Sequence, residues 1–373
     1  MISDSTEPLL RAENVVKHFP VRSSSLFTRE KQFLRAVDGV SLEVYPGETL
    51  GLVGETGCGK STLARCLTRL YDLTDGTVEF EGRDISKLSR NEMRPLRREM
   101  QMVFQDPYGS LNPRRRVGSI IGDAFQIHKI DNASGQKRRV QELMELVGLN
   151  PEHYNRFPAE FSGGQRQRIG VARALALKPK IIVCDEPVSA LDVSVQAQVL
   201  NLLDDLQREF GLTYIFISHD LSVVRHVSDR IAVMYLGKVV ETAPAEELFE
   251  TSRHPYTRSL LSALPPADPD AALERERIVL VGEIPSPIFP PTGCRFHTRC
   301  PKAQLDCAEI DPPVVPAFDD PANHQMACLH PLRRDDELSE YTPEVEDSEI
   351  FVHEGIADPA FGSPTDTLEE PKP

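Results

Sequence analysis

The residues best equipped for chemistry begin at "GETGCGKS", residues 54–61, which fits the pattern G-x-x-x-x-G-K-[ST]. Gly54, Gly57 and Gly59 let the backbone wrap a polyphosphate with the N–H groups of the loop, including those of Glu55, Thr56 and Cys58. The loop opens a helix through Thr62, and a helix N-terminus favours anions. Lys60 supplies a point charge to the β and γ phosphates, and the Ser61 hydroxyl can ligate Mg2+. A second stretch, "IIVCDEP" (181–187), ends an apolar run in two carboxylates. Asp185 is placed to hold Mg2+ through water, and Glu186 to polarise the water that attacks the γ-phosphate. An Asp-Glu pair after a strand is commonly a solvated turn, but a phosphate loop in the same chain gives it a task. In the third stretch, "FSGGQRQR" (161–168), Ser162, Gly163, Gly164 and Gln165 expose backbone N–H groups at a helix start, a second anion site. Alone, that stretch is also a simple helix cap.

Such residues need rigid elements behind them. "TLGLV" (49–53) is a continuous apolar strand before the loop, and "KSTLARCLTRL" after it has helical spacing. "KIIVC" (180–184) and "TYIFIS" (213–218) read as two more buried strands, separated by the helical "VQAQVLNLLDDLQREFG". Between about 90 and 175 the pattern is helical, with Gly148 as a stop after "KRRVQELMELV". Strands alternating with helices predict an α/β domain with a mostly parallel sheet and a helical subdomain. Proline density rises at "LPPADPDAA" (264–272). The expected division is therefore a nucleotide-binding domain over 1–265, a Cys-rich segment over 266–332 and a tail over 333–373.

The formal charge of -15 is concentrated at the end of the chain: from Asp335 onward 13 acidic residues face one basic residue, Lys372. The body is nearly neutral, which argues against a nucleic-acid binder, and the acidic tail is expected to be disordered. The N-terminus lacks a signal-peptide pattern, and no apolar run reaches the roughly 18 residues of a membrane span, so the chain is expected in the cytoplasm.

Further motifs fall in a recognisable order. "VFQDP" carries Gln105, "SALD" carries Asp192 and "ISHD" carries His219. With the three stretches above, the chain resembles the ATP-binding-cassette ATPases over residues 9 to 332. The resemblance implies a P-loop nucleotide-binding fold that works as a head-to-tail pair with two ATP molecules at the interface. Ser162, Gly163, Gly164 and Gln165 of one subunit would cap the γ-phosphate bound by Lys60 of the other. Gln105 would touch Mg2+ and the attacking water, His219 would hold the γ-phosphate and orient Glu186, and Asp192 would lie in the D-loop. Phe19 falls where the family stacks an aromatic on adenine.

"MVFQDPYGSLNPRRRVG", "HPYTRSLLSALP" and "GCRFHTRCP" make the chain similar to the ATPase subunits of oligopeptide and dipeptide importers, in particular the second of the two. That similarity implies two transmembrane permease subunits, a related second ATPase, an extracytoplasmic solute-binding protein and a place on the cytoplasmic face of the membrane. The arginines at 114–116 lie where a membrane subunit's coupling helix would dock. The alternatives are import of nickel or a sugar by the same architecture, or a soluble cassette ATPase acting on nucleic acid or ribosomes. Against the last, the interval from Ser61 to Ser162 lacks sustained heptads and each motif occurs once.

Four cysteines, Cys294, Cys300, Cys307 and Cys328, gather at spacings C-x5-C-x6-C-x20-C. Disulfides do not suit a reducing cytoplasm, and a small core-poor segment benefits from a metal staple. No C-x2–4-C zinc knuckle is present. Wider loops and the proline after Cys300 suit an iron–sulfur cluster, and the importer resemblance implies a four-iron, four-sulfur one; zinc is the alternative. Cys58, Cys66 and Cys184 are expected to pack, with Cys58 open to alkylation.

Overall fold

Thr49–Val53 is buried at every position, which calls for cover on both faces and a place inside a sheet. The computed structural model describes residues 7–21, 31–106, 109–264, 278, 280–317, 324–334, 336, 338 and 341. The expected boundary near 265 and nearly all of the acidic tail lie outside the described residues.

Strands β1 (Leu10–Val21) and β2 (Gln32–Val44) form a long antiparallel ribbon, and Thr49–Val53 follows as β3. After α1 (Lys60–Leu67) come β4 (Asp75–Phe80) and β5 (Arg83–Asp84), which complete a four-stranded sheet of order β2-β1-β4-β5. Next are α2 (Arg90–Leu96) and β6 (Met100–Val103), then α3 (Val117–Ile127), α4 (Ala133–Leu146) and α5 (Gly163–Leu175). These last three helices pack through Val117, Ile121, Phe125, Val140, Met144 and Ile169. The main sheet continues with β7 (Ile181–Asp185), α6 (Val193–Phe210), β8 (Thr213–Ile217), α7 (Leu221–Val227), β9 (Arg230–Tyr235) and β10 (Lys238–Pro244). Helices α8 (Ala245–Thr251) and α9 (Pro255–Ser262) follow, and two-residue strands β11 (Val315–Pro316) and β12 (Gln325–Met326) come last.

The eight-stranded sheet has order β11-β12-β10-β9-β3-β8-β7-β6. Its five strands from β9 to β6 are parallel. The phosphate-loop strand β3 and the carboxylate strand β7 thus flank β8, and their C-terminal ends open on the same side, where open α/β sheets collect ligands.

The Cys-rich segment is built onto this sheet. β12 pairs antiparallel with β10 through Glu241–Met326 and Thr242–Gln325, and β11 pairs with β12. Phe296 is buried against Tyr235 and Tyr256, with ring centroids 5.2 and 5.3 Å away, and belongs to the same core as Val53. Fully buried His324 lies 2.8 Å from Glu241 and 3.2 Å from Glu247. Two of the three clustered arginines are already engaged within the helical part: Arg115 grips Asp123 with both Nη atoms, and Arg116 donates to Asn155 at 3.1 Å.

Candidate nucleotide site and cysteine pocket

The loop after β3 is pressed against other backbone. A Cβ at Gly54 (φ +148°) would lie 2.0 Å from the Met234 carbonyl oxygen, and one at Gly59 (φ +111°) 2.0 Å from that of Ala36. No side chain fits at either position. Lys60 begins α1, with Ser61 and Thr62 next in the helix. The buried Lys60 ammonium donates to the Gly54 and Glu55 carbonyls at 2.7 and 3.0 Å, so it lies in the curve of the loop. Thr56 and Gly57 form the exposed crest of that curve.

Ser61 Oγ donates to Asp185 Oδ1 at 2.7 Å. Asp185 is fully buried, and its Oδ2 has no hydrogen-bond donor, with Arg65 Nη2 3.8 Å away. Burial raises the carboxyl pKa, against the pull of Ser61 and Arg65. A buried carboxylate with an unsatisfied oxygen beside a hydroxyl is a hard-oxygen pair of the kind that suits Mg2+.

Three adjacent strand ends bring the expected catalytic trio together. Glu186 follows β7, Gln105 follows β6 and His219 follows β8. Gln105 Nε2 donates to Glu186 Oε2 at 2.7 Å, and His219 Nδ1 lies 3.3 Å from Oε1. Glu186 takes a left-handed backbone (φ 46°) and donates its amide to the Ile217 carbonyl at 3.0 Å. Its carboxylate is thereby aimed away from the strand, a conformation a glutamate holds only when neighbours enforce it.

Ser162 caps α5: its Oγ accepts from the Gln165 amide at 3.3 Å, and Gln165 Oε1 accepts from the Ser162 amide at 3.0 Å. The cap therefore exists alongside any anion site. Gly164 is required by packing, since a Cβ there would come 2.3 Å from Val195, while Gly163 has more room. Among the described residues no hydrogen bond or ion pair joins these four to the phosphate loop. Asp192 precedes α6, is exposed, and makes no cap bond with its carboxylate. Phe19 is half-buried on β1, edge-on to Tyr71 at 5.7 Å, with Lys17 Nζ 5.0 Å from its ring.

Cys294, Cys300, Cys307 and Cys328 line one cavity, with His297 and His330 beside them. Burial pushes the Cys294 thiol up to about 11 and Cys328 to about 12, and raises Cys300 and Cys307 as well. The nearby thiols add to the first three shifts, because thiolates so placed repel one another. A cation among them would reverse that balance. Among the described residues the one trio of donors converging within 4.8 Å is Asp306, Cys307 and His330. No three of the four thiols are that close to one another.

Cys58 is buried and its thiol is raised by burial, so it packs as expected and is a neutral thiol poorly placed for alkylation. Cys66 and Cys184 are likewise buried. Two residues that touch the loop lie in "HPYTRSLLSALP" and "GCRFHTRCP", stretches that carry the resemblance but give neither residue a role. Tyr256 Oη accepts from the Glu55 amide at 3.0 Å, and Arg299 binds the Glu55 carboxylate. Only their position in three dimensions reveals them.

Comparison with known proteins agrees with this arrangement. The family described as "ABC transporter" matches residues 37–189, and "Oligopeptide/dipeptide transporter, C-terminal region" matches residues 240–307. The chain is 53% identical over 330 residues to "Oligopeptide transport ATP-binding protein AppF" of Bacillus subtilis (strain 168), covering 88% of this chain and 99% of that one. It is 49% identical to "Oligopeptide transport ATP-binding protein OppF" of Salmonella typhimurium, covering 88% and 98%. The solved "Dimeric structure of a post-hydrolysis state of the ATP-binding cassette MJ0796 bound to ADP and Pi" superposes with a TM-score of 0.57 at 27% identity, over 63% of this chain and 98% of the other. The phosphate loop, the carboxylate strand and these matches agree: the chain belongs to the ATP-hydrolysing subunits of ABC transporters, in the oligopeptide and dipeptide transport group.

Proposed function

We propose that this chain hydrolyses ATP to drive peptide import through a membrane transporter, as one of two related ATPases bound to two permease subunits at the cytoplasmic face of the membrane. The observation that carries the chemistry is Glu186 held between Gln105 and His219. Glu186 is the base for the attacking water, Gln105 and His219 orient it, and Lys60 binds the phosphates. Ser61 and Asp185 would hold Mg2+, with Gln105 at its edge; the metal would neutralise charge developing on the phosphates. The peptide substrate is inferred from the relatives named for oligopeptide transport.

A partner subunit fits the exposed D-loop, where Val193 is 82% exposed beside the free Asp192 carboxylate. Ser162, Gly163, Gly164 and Gln165 would then cap the γ-phosphate on that partner, and Phe19 would stack on adenine. Among the described residues no helix is long and apolar enough to cross a membrane, so passage belongs to the permeases. A solute-binding protein would deliver the peptide to them. Deleting the gene should abolish uptake of a labelled oligopeptide by whole cells. Intact peptide uptake with lost nickel or sugar uptake would overturn the peptide assignment.

The four cysteines are assigned to a four-iron, four-sulfur cluster. A zinc ion with four thiolates at about 2.3 Å draws every pair of sulfurs to within about 4 Å, closer than any three of these thiols stand. A larger cluster bound at its corners accommodates the wider spread. Anaerobically purified protein should absorb in the thiolate-to-iron charge-transfer region and contain about four iron and four sulfide per chain. Zinc alone would overturn the assignment.

A further inference from the structure

Glu55 is an acidic residue inside a loop shaped for polyphosphate, and a bare carboxylate there would repel the ligand. Its counter-charge comes from the Cys-rich segment. Arg299 donates from Nη1 to Glu55 Oε2 at 2.9 Å and from Nη2 to Oε1 at 3.2 Å, a two-pronged grip that sets orientation as well as charge. The Arg299 side chain is 8% exposed. Nη1 also approaches Tyr235 Oη at 3.4 Å, and the buried Nε has no acceptor, so Glu55 is its principal partner. The Glu55 backbone is held too: its amide donates to Tyr256 Oη, and its carbonyl accepts from Lys60. A polyphosphate that draws Lys60 away leaves Tyr256, Arg299 and the Gly237 amide, which donates to the Cys58 carbonyl at 2.8 Å, as anchors of the loop.

Arg299 directly precedes Cys300. Its amide donates to the Phe296 carbonyl at 3.0 Å and that of Cys300 to the His297 carbonyl at 3.3 Å, closing a short turn over His297–Arg299. The turn begins three residues after Cys294, whose amide is tied to the Cys307 carbonyl at 2.8 Å. Two thiols of the pocket thus flank the turn that carries the guanidinium. Phe296, at the head of the same turn, packs against Tyr235 and Tyr256, whose hydroxyls meet Arg299 and Glu55.

Resting on the assignment of the four cysteines to one metal-holding site, we infer that Arg299 is a positioning residue that neutralises Glu55, holds the phosphate loop, and makes ATP affinity depend on the integrity of the cysteine site. It acts through Glu55 and need not touch the nucleotide. Two distant stretches of chain, 54–61 and 294–307, then form one functional unit.

The test uses the full-length chain, MgATP affinity by titration with a fluorescent ATP analogue, and iron, sulfide and zinc content on the same samples. Arg299→Gln should weaken binding about tenfold, and Arg299→Lys, which keeps the charge but loses the fork, should fall between. In the assembled transporter the KM for ATP should rise with kcat retained. In a Glu55→Gln background, Arg299→Gln should cost less than about twofold, because no carboxylate remains to be gripped. Cys300→Ser should weaken ATP binding in the otherwise native chain and leave it unchanged in the Glu55→Gln chain. Unchanged affinity in both Arg299 variants, a fall in kcat at constant KM, or an equal loss from Cys300→Ser in both backgrounds overturns the inference. If the coupling is measured in protein without cysteine-bound iron, the cluster assignment falls and the role of Arg299 stands. If coupling is absent from a chain with its full iron content, the reverse holds.

Discussion

Glu186→Gln should bind ATP with Mg2+ at near-native affinity and hydrolyse it about 10²- to 10⁴-fold more slowly, the usual worth of a positioned general base. That is about 3–5 kcal/mol of barrier. The change is nearly isosteric. The amide oxygen keeps an acceptor for Gln105, whose Nε2 now donates to Oε2 at 2.7 Å, so the left-handed turn at φ 46° and the strand-end geometry persist. What is lost is the ability to take a proton from water. On the His219 side, 3.3 Å away, the amide nitrogen replaces an oxygen, which further spoils the orientation of the water. Steady-state phosphate release measures the turnover and equilibrium dialysis the binding. Binding without turnover should also hold the closed pair together, visible as an ATP-dependent shift in size-exclusion elution. Native turnover would remove Glu186 from its role as base.

Much of this site is legible in the sequence because the elements that build it are local and strongly patterned. "TLGLV" and "KIIVC" are runs with little choice but burial, and each ends directly in residues of the proposed site, so finding the strand also finds Gly54 and Asp185. The order of the strands is not legible from their pattern; it is the fold that makes Gln105, Glu186 and His219 meet, because each sits just past the end of one of three neighbouring strands. The Cys-rich segment is opaque for the opposite reason. Its two sheet strands are two residues each, too short for any period to show. Its anchoring rests on single long-range contacts: Phe296 under Tyr235, Arg299 on Glu55, and His324 between Glu241 and Glu247. Nothing in "FHTRCP" distinguishes an arginine that grips the phosphate loop from one that faces water. The clustered arginines 114–116 mislead in the same way, since the Arg115 fork is taken by Asp123 on α3, the helix that follows it.

Lys60→Ala should weaken MgATP binding about 10- to 100-fold, the span expected when a charge-assisted hydrogen bond worth about 1.5–3 kcal/mol is lost. Lys60 already donates to the Gly54 and Glu55 carbonyls, so binding exchanges those partners for phosphate oxygens, and only the difference appears as affinity. Truncation leaves the buried Gly54 carbonyl and the part-buried Glu55 carbonyl without this donor, and the space vacated by the side chain can admit a water in its place. The loop keeps its shape because the Glu55 amide and carboxylate remain tied to Tyr256 and Arg299, and because Gly54 is pressed against the Met234 carbonyl and Gly59 against that of Ala36. The thermal midpoint without nucleotide should therefore stay near native, while the upward shift that saturating MgATP gives the native chain should shrink or vanish. An unaltered ATP-dependent shift would count against Lys60 as the phosphate ligand. A collapse of the nucleotide-free midpoint would instead mean that the ammonium, rather than Tyr256 and Arg299, holds the loop in its binding shape.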